Sequence, residues 1–248
     1  MANKDFNVYL SSIDKERFGI QVARAYILTS PDVDQSIEYC KIHNVNMLIA
    51  RCPASNLGTV QFMEQSGFLL MDTLVYYARN LAKTPIPEDY CSIPIRPVRP
   101  GEEEAVKAVA TRAFQGYYGH YHADPRLDQT KCDETYVDWA YRSCISREVA
   151  DEVLVADRDG EISGFATLRF NDMEEGEGIL FCVDPSAQGQ GIYRSFIVQG
   201  MKWCQNNCRS RMVVSTQVTN IAVQKVWARV GFEPSTSYYT MHKWFDEV

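Results

Sequence analysis

Residues 183 to 196 read VDPSAQGQGIYRSF: an apolar run, a Pro turn, glycines at 189 and 191, and then a stretch with helical character and no acidic residue. A strand that passes through such a turn into a helix leaves several backbone N–H groups unpaired at the helix start, all aimed the same way. That arrangement holds an anion, a phosphate group above all. Glycines at such a junction also serve merely to permit a tight turn, so the surrounding elements have to decide. Two further sets of residues carry acid–base potential. Glu177 is the carboxylate that alternates in phase with Ile179, Phe181 and Val183 on the preceding strand, which predicts a shared face. His120 and His122 stand in an aromatic loop, FQGYYGHYHADPRLD, and histidine titrates in the range useful for proton transfer near neutrality.

These residues need a scaffold, and composition bounds it. The chain has 248 residues, 46% hydrophobic and 23% charged, as in a globular protein able to bury a core. A net charge of −7, with no basic stripe, excludes nucleic acid as an expected partner. The N-terminus lacks an apolar h-region and no segment approaches membrane-spanning length, so a cytoplasmic protein without a membrane partner is expected. Eight cysteines are scattered without a C-x-x-C pair, which predicts reduced, mostly buried thiols and no metal.

An internal repeat organises the chain. Residues 40–68, CKIHNVNMLIARCPASNLGTVQFMEQSGF, lie without gaps over 204–232, CQNNCRSRMVVSTQVTNIAVQKVWARVGF. Cys40 meets Cys204, Asn56 meets Asn220, and Gly67-Phe68 meets Gly231-Phe232. Each copy reads as helix end, apolar strand, polar turn to Asn, amphipathic helix, a glycine where a left-handed residue closes the helix, and a strand. Counting back from QGQGIY by the same offset reaches RAYILT, which contains no glycine. The first copy therefore has no anion loop and reads as a truncated structural half.

Five prolines between 85 and 100 mark a linker turning into a strand, with a boundary near residue 90. Residues 1–90 form one expected domain and 91–248 the other. In the second, a short strand at Ile95 to Val98 and a helix opening with Glu102 to Glu104 precede the aromatic loop. A helix from about Asp133 to Ser146, a hairpin turning at Arg158-Asp159-Gly160, a strand from Gly178 to Val183, a parallel strand at Met212 and a final helix follow. This order predicts an α+β domain with a mixed central sheet.

With that order in view, residues 94–245 resemble the GNAT superfamily of acyl-CoA-dependent acyltransferases. The family's loop reads Gln/Arg-x-x-Gly-x-Gly/Ala. Here Gln188 and Gly191 match, and Tyr193 replaces the small residue. The resemblance implies a GNAT fold preceded by a GNAT-like half-domain. It also implies that Gln188, Gly189, Gln190, Gly191, Ile192 and Tyr193 hold the pyrophosphate of acyl-CoA, acetyl-CoA or another. Phe181, Cys182 and Val183 then splay from the strand at Met212 to Ser215 to receive the pantetheine arm, beside Asn220 and Trp227. Asn220 also suits a helix cap. The tract GHYHADPRLDQTKCDETYVDWAYRS resembles the dTDP-fucosamine acetyltransferase group and related nucleotide-sugar N-acyltransferases. By that resemblance Tyr117, Tyr118, Tyr121 and Arg126 line an amino-sugar nucleotide site.

Acyl transfer to an amine needs a neutral amine, a polarised carbonyl and a stabilised thiolate. Where many family members have a Tyr that protonates the thiolate, this chain has Trp227, whose indole is no acid. Tyr238 and Tyr239 are the alternative acids, and Glu177, His120 and His122 the candidate bases. An acetyltransferase of peptide, lysine or small amine, and a non-catalytic CoA-binding module, stay open, as does a homodimer.

Overall fold

The structure is a computed structural model describing residues 6–245. Among the described residues the first copy of the repeat contains strand β1 (Asn7–Leu10), helix α1 (Ser12–Phe18), β2 (Val22–Tyr26), α2 (Ser30–Ile42), β3 (Met47–Pro53), α3 (Leu57–Gln65) and β4 (Leu69–Asn80). After the proline-rich stretch come β5 (Ile95–Pro97), α4 (Glu103–Ala113), α5 (Gln129–Ile145), β6 (Glu152–Arg158), β7 (Glu161–Phe170) and β8 (Glu175–Val183). The second copy closes with α6 (Ile192–Asn206), β9 (Arg211–Gln217), α7 (Ile221–Arg229) and β10 (Glu233–Trp244).

The repeat is reproduced to the residue. Met47, Leu57 and Leu69, which open β3, α3 and β4, each precede by 164 positions the residues that open β9, α7 and β10: Arg211, Ile221 and Glu233. Gly67 and Gly231 both take φ 82° after the helix, the left-handed conformation that costs an L side chain about 1–2 kcal/mol.

A cut near residue 90 does not describe the compact units. One unit comprises residues 6–75, Tyr118–Cys132 and 236–245; the other comprises Tyr76–Tyr117 and Asp133–Ser235. The two copies have exchanged their last strands. β3 pairs antiparallel with β10, from Tyr238 opposite Pro53 to Trp244 opposite Met47, and β9 has β4 as its neighbour. Each exchanged strand carries a cation to the same place. Lys243 Nζ donates to the Ser66 carbonyl at 2.8 Å, at the C-terminus of α3. Arg79 donates to the Val230 carbonyl at the C-terminus of α7. Positions 79 and 66 plus the same 164 give 243 and 230. A cation at a helix C-terminus meets the negative end of the dipole and an orphan carbonyl, a contribution of about 0.3–1 kcal/mol and up to about 2 when buried.

The smaller unit orders its strands β1-β2-β3-β10. One face packs Val33, Cys40, Val60, Met63 and Phe68 against Leu48, Ala50 and Met241. The other packs Phe18, Val22, Met47 and Ile49 with Tyr121, Leu127 and Cys132. The larger unit runs from the end of β4, from Tyr76 on, through β9-β8-β7-β6-β5, with α6 and α7 on one face (Phe196, Met201, Trp227) and α4 and α5 on the other (Val106, Val109, Ala140). The proline-rich stretch is no free linker. Asp89 accepts from Ser195 Oγ at 2.6 Å and from Gln199 Nε2 at 2.9 Å, pinning the stretch to α6. Among the described residues no disulfide joins the cysteines, and burial pushes the thiols of Cys40, Cys144 and Cys204 up to about 12.

Candidate active site

The opening motif lies in the larger unit, between β8 and α6. Asp184 ends the strand and caps the short Pro185–Ala187 turn, accepting from Ser186 N at 2.9 Å and Ser186 Oγ at 2.7 Å, while Arg112 Nε donates to its other oxygen at 2.7 Å. The Ser186 hydroxyl first, then its amide and Arg112, hold this carboxyl at about 2 against the opposing effect of burial. Gly189 and Gly191 then take φ 78° and 82°, and Gly191 is the N-cap of α6 with no side chain to fill that role. The first amide to close on the helix is that of Ser195, on the Gly191 carbonyl at 3.0 Å. Among the described residues the N–H groups of Gln188 through Arg194 have no hydrogen-bond partner. A Cβ added at Gly189 or Gly191 meets nothing within 4 Å, so it is the left-handed backbone rather than crowding that calls for glycine there. Arg158 Nη2 steadies the loop by donating to Gln190 Oε1 at 2.8 Å.

Immediately before the loop the sheet opens. β8 and β9 pair in parallel from Glu175–Arg211 to Gly178–Val214, and no further pair joins them among the described residues. The far end of β8 remains paired with β7, with Leu180 opposite Thr167 and Val183 opposite Gly164. The expected splay of Phe181, Cys182 and Val183 from β9 is therefore present. It leaves the main-chain groups of 179–183 and 215–217 facing a gap suited to an extended, amide-bearing chain. Asn220 caps α7, its Oδ1 accepting from Val223 N at 3.4 Å while its Nδ2 donates to Thr216 Oγ1 at 3.1 Å.

Two expected site residues sit differently from the sequence reading. Trp227 is 1% exposed, inside the core, with its indole N–H donated to the Tyr193 hydroxyl at 3.1 Å and its ring 5.4 Å from that of Tyr77. It fills the base of the loop rather than its surface, and Tyr193, a phenol pushed up by burial, is committed to it. Glu177 lies on the opposite face from Phe181 and Val183. The register of β7 and β8 shifts between Thr167 and Leu168, so Ile179 is an extra residue that breaks the alternation. Glu177 consequently shares a face with Leu180 and Cys182, and its Oε2 accepts from Arg169 Nη2 at 2.6 Å and Nε at 3.1 Å. Gly176 and Gly178 face the other way, where a Cβ would overlap Cys204 and the Phe181 ring.

Comparison with known proteins agrees with this geometry. Residues 113–232, which hold the splayed strands and the glycine loop, match the Acetyltransferase (GNAT) family. The chain is similar to that family over those 120 residues, just under half of its length. It is 22% identical over 209 residues to the spore coat polysaccharide biosynthesis protein SpsD of Bacillus subtilis (strain 168), covering 82% of this chain and 68% of that one. A GCN5-related N-acetyltransferase from Sphaerobacter thermophilus shares the fold at TM-score 0.63 and 16% identity, over 96% of this chain and 76% of its own. A tandem GNAT protein from the clavulanic acid biosynthesis pathway shares it at TM-score 0.62 and 13% identity, over 92% and 76%. The fold is thus the mixed α/β GNAT fold, the protein is an acetyltransferase, and enzymes of this family use an acyl-CoA donor. Among the described residues no helix is long and apolar enough to cross a membrane, and no group of three or more metal-ligating side chains occurs.

The remaining candidates of this acetyltransferase divide between the units. Tyr117, in the larger unit, packs edge-on to Tyr136 at 4.8 Å and Phe114 at 5.5 Å, an aromatic seam between α4 and α5. The others belong to the smaller unit. Tyr118 is 65% exposed, and the Arg126 guanidinium lies 4.0 Å over the Trp244 ring. Tyr121, expected to line the acceptor site, is buried with its hydroxyl donated to Asp14 Oδ1 at 2.7 Å and bonded by Arg24. It packs its ring 3.9 Å from that of His120 and so supports the histidine. Tyr239 turns into the core beside Met241, while Tyr238 shares the other face of β10 with His242 and lies 5.5 Å from Tyr26. His120 and His122 are both buried, with different partners. The first bonds His242, and the second accepts the Gly119 N–H on Nδ1 at 3.1 Å. His242 and Asp124 were not singled out from sequence. The alternation of Tyr238, Thr240, His242 and Trp244 along the last strand was the available signal, but their partners lie about 120 positions earlier.

Proposed function

We propose that this acetyltransferase transfers an acetyl or other short acyl group from acyl-CoA to the amine of an amino sugar carried on a nucleotide diphosphate. The observation that carries the cofactor half is the run of seven unpartnered amides, Gln188 through Arg194, directly after the splayed end of β8. Those amides bind the pyrophosphate and the strand edges at 179–183 and 215–217 pair with the pantetheine amides. Bound there, acyl-CoA supplies an activated thioester carbonyl. The N–H groups near Val183 polarise it, and with Trp227 in the core the sulfur leaves as the thiolate or takes its proton from solvent. The first copy serves as structure and binds no CoA.

Support for the sugar half comes from the relative that acts in spore coat polysaccharide biosynthesis and from the exposed Tyr118 and the Arg126–Trp244 stack, which suit a sugar or base beside a phosphate. A remote nucleotide supplies binding energy that orients the amine. The test is kcat/KM for a dTDP-linked amino sugar, the same sugar free, and a peptide amine. The linked sugar is expected to exceed both by about 100-fold, roughly 2.7 kcal/mol of transition-state binding. Equal values for the two sugars, or preference for the peptide, would overturn the substrate assignment.

A further inference from the structure

One face of the smaller unit's sheet changes character along its length. By register and alternation it carries Arg24 and Tyr26 of β2, Arg51 of β3, and Thr240 and His242 of β10. Its apolar end, at Val22 and Met47, packs against Phe18 and Leu127. Polar groups gather at the other end. There Tyr26, Arg51 and Thr240 stand abreast on adjacent strands, and the rings of Tyr26 and Tyr238 meet at 5.5 Å across β3. Three side chains in this region lack partners. Thr240 is 0% exposed, yet among the described residues its Oγ1 has no hydrogen bond. The half-buried Arg51 guanidinium has neither hydrogen bond nor ion pair among the described residues, whereas Arg24, one strand over, is paired with Asp14 at 2.6 Å. His120 is 8% exposed and uses one ring nitrogen only, Nδ1, which lies 3.0 Å from His242 Nε2. Against burial, hydrogen bonds from His242, Trp244 and the Arg126 amide hold the Asp124 carboxyl below the ordinary range, so it only accepts. His242 must then donate from Nδ1 and accept on Nε2, and His120 must donate from Nδ1, which leaves its Nε2 a lone pair.

We propose that this end of the smaller unit binds the phosphate group of a small molecule. Arg51 takes two oxygens side by side, and the Thr240 hydroxyl and the His120 ring donate to the rest. Donors on three strands and a loop match a group with three free oxygens and two charges better than a planar carboxylate. No free acid competes for Arg51 among these groups, because Asp14 is held by Arg24 and Tyr121, and Asp124 by His242 and Trp244. The groups facing His120 are His242 of β10, Arg24 of β2, Arg51 of β3, and His122 and Tyr121 of its own loop. Burial first, and then the positive neighbours, keep it neutral well below the usual histidine range. A phosphate set among these cations reverses that balance, so Nε2 takes a proton from solvent as the anion binds and becomes a donor to it. Asp124, through His242, steadies the imidazolium. All of these residues belong to the smaller unit, and the site does not depend on where acyl-CoA binds.

Nitrogen-15 NMR of the histidine rings tests this in the full-length protein, titrated near neutral pH with inorganic phosphate, with sodium acetate, and with sodium chloride at equal ionic strength. The His120 ring is expected to move saturably toward imidazolium with phosphate alone. In Arg51→Gln the affinity read from that movement should fall at least about tenfold. If that variant does not fold, Arg51→Lys keeps the charge, loses the two-pronged grip and should show a smaller loss in the same direction. Thr240→Val should weaken binding about fivefold while urea unfolding shows a protein no less stable, since a methyl replaces an unbonded hydroxyl of the same shape. The titration is repeated in Gly191→Val, where the same His120 response is expected; its loss there would assign the phosphate to the glycine loop and overturn the proposal. A His120 ring unmoved by phosphate, one moved as far by acetate or chloride, or an affinity untouched by the Arg51 or the Thr240 substitution would overturn it as well.

Discussion

The two copies of the repeat end their equivalent strands in opposite ways. In the smaller unit β2 and β3 stay paired over five residues, from Val22–Met47 to Tyr26–Arg51, and the Ile27 amide continues the ladder onto the Arg51 carbonyl. Helix α2 then starts closed. Pro31 removes one N–H, and Asp32, in the third helical position, accepts those of Leu28 and Thr29 at 2.9 and 2.8 Å. In the larger unit the matching pairing of β8 and β9 stops after four residues, and α6 opens with Gly191, no acid in its first turn and seven free amides. Arg194 stands at the position Asp32 holds in α2. From Val22 to Met47 is 25 positions and from Glu175 to Arg211 is 36, so the first copy lacks the residues that build the loop. One supersecondary unit thus ends either with its helix start filled by its own carboxylate or with that start open, the arrangement proposed above to take the anion.

The comparison breaks most sharply if the closed end is copied onto the open one. Arg194→Asp puts a carboxylate where Asp32 sits and removes a cation. It should weaken acyl-CoA binding roughly thirtyfold, about 2 kcal/mol, in titration calorimetry. Binding unchanged in the folded variant would mean that the amides of α6 do not hold the anion. The converse change is smaller. Asp32→Ala removes the acceptor of two N–H groups and should cost about 1 kcal/mol of stability in urea unfolding, while creating no CoA site, because β2 and β3 remain zipped. A second CoA bound by Asp32→Ala would show that the carboxylate alone had closed the first copy.

How much was legible in the sequence follows the range of the interactions. The glycine loop, the capping asparagine, the left-handed Gly67 and Gly231 and the order of elements are local, and each appears where the residues around it predict. The exchange of β4 and β10 is not local. Both strands follow the same helix–glycine pattern, and nothing within either says that Arg79 caps α7 and Lys243 caps α3. Glu177 was placed on the wrong face because alternation holds only in an unbroken strand, and the extra residue at Ile179 is set by the register against β7. Tyr121 and Trp227 look like site residues by type, yet their polar atoms are taken by Asp14 and Tyr193. The Asp124–His242–His120 chain joins the aromatic loop to the final strand, so only the folded chain brings it together.

Isothermal calorimetry of acetyl-CoA binding to the intact protein and to Gly191→Val, read for stoichiometry, tests the difference between the copies most directly. A valine at φ 82° strains the backbone of the loop that presents the free amides. One CoA per chain, weakened at least tenfold (about 1.4 kcal/mol) by Gly191→Val, is the predicted result. Two CoA molecules per chain, or an affinity untouched in the folded variant, would contradict it.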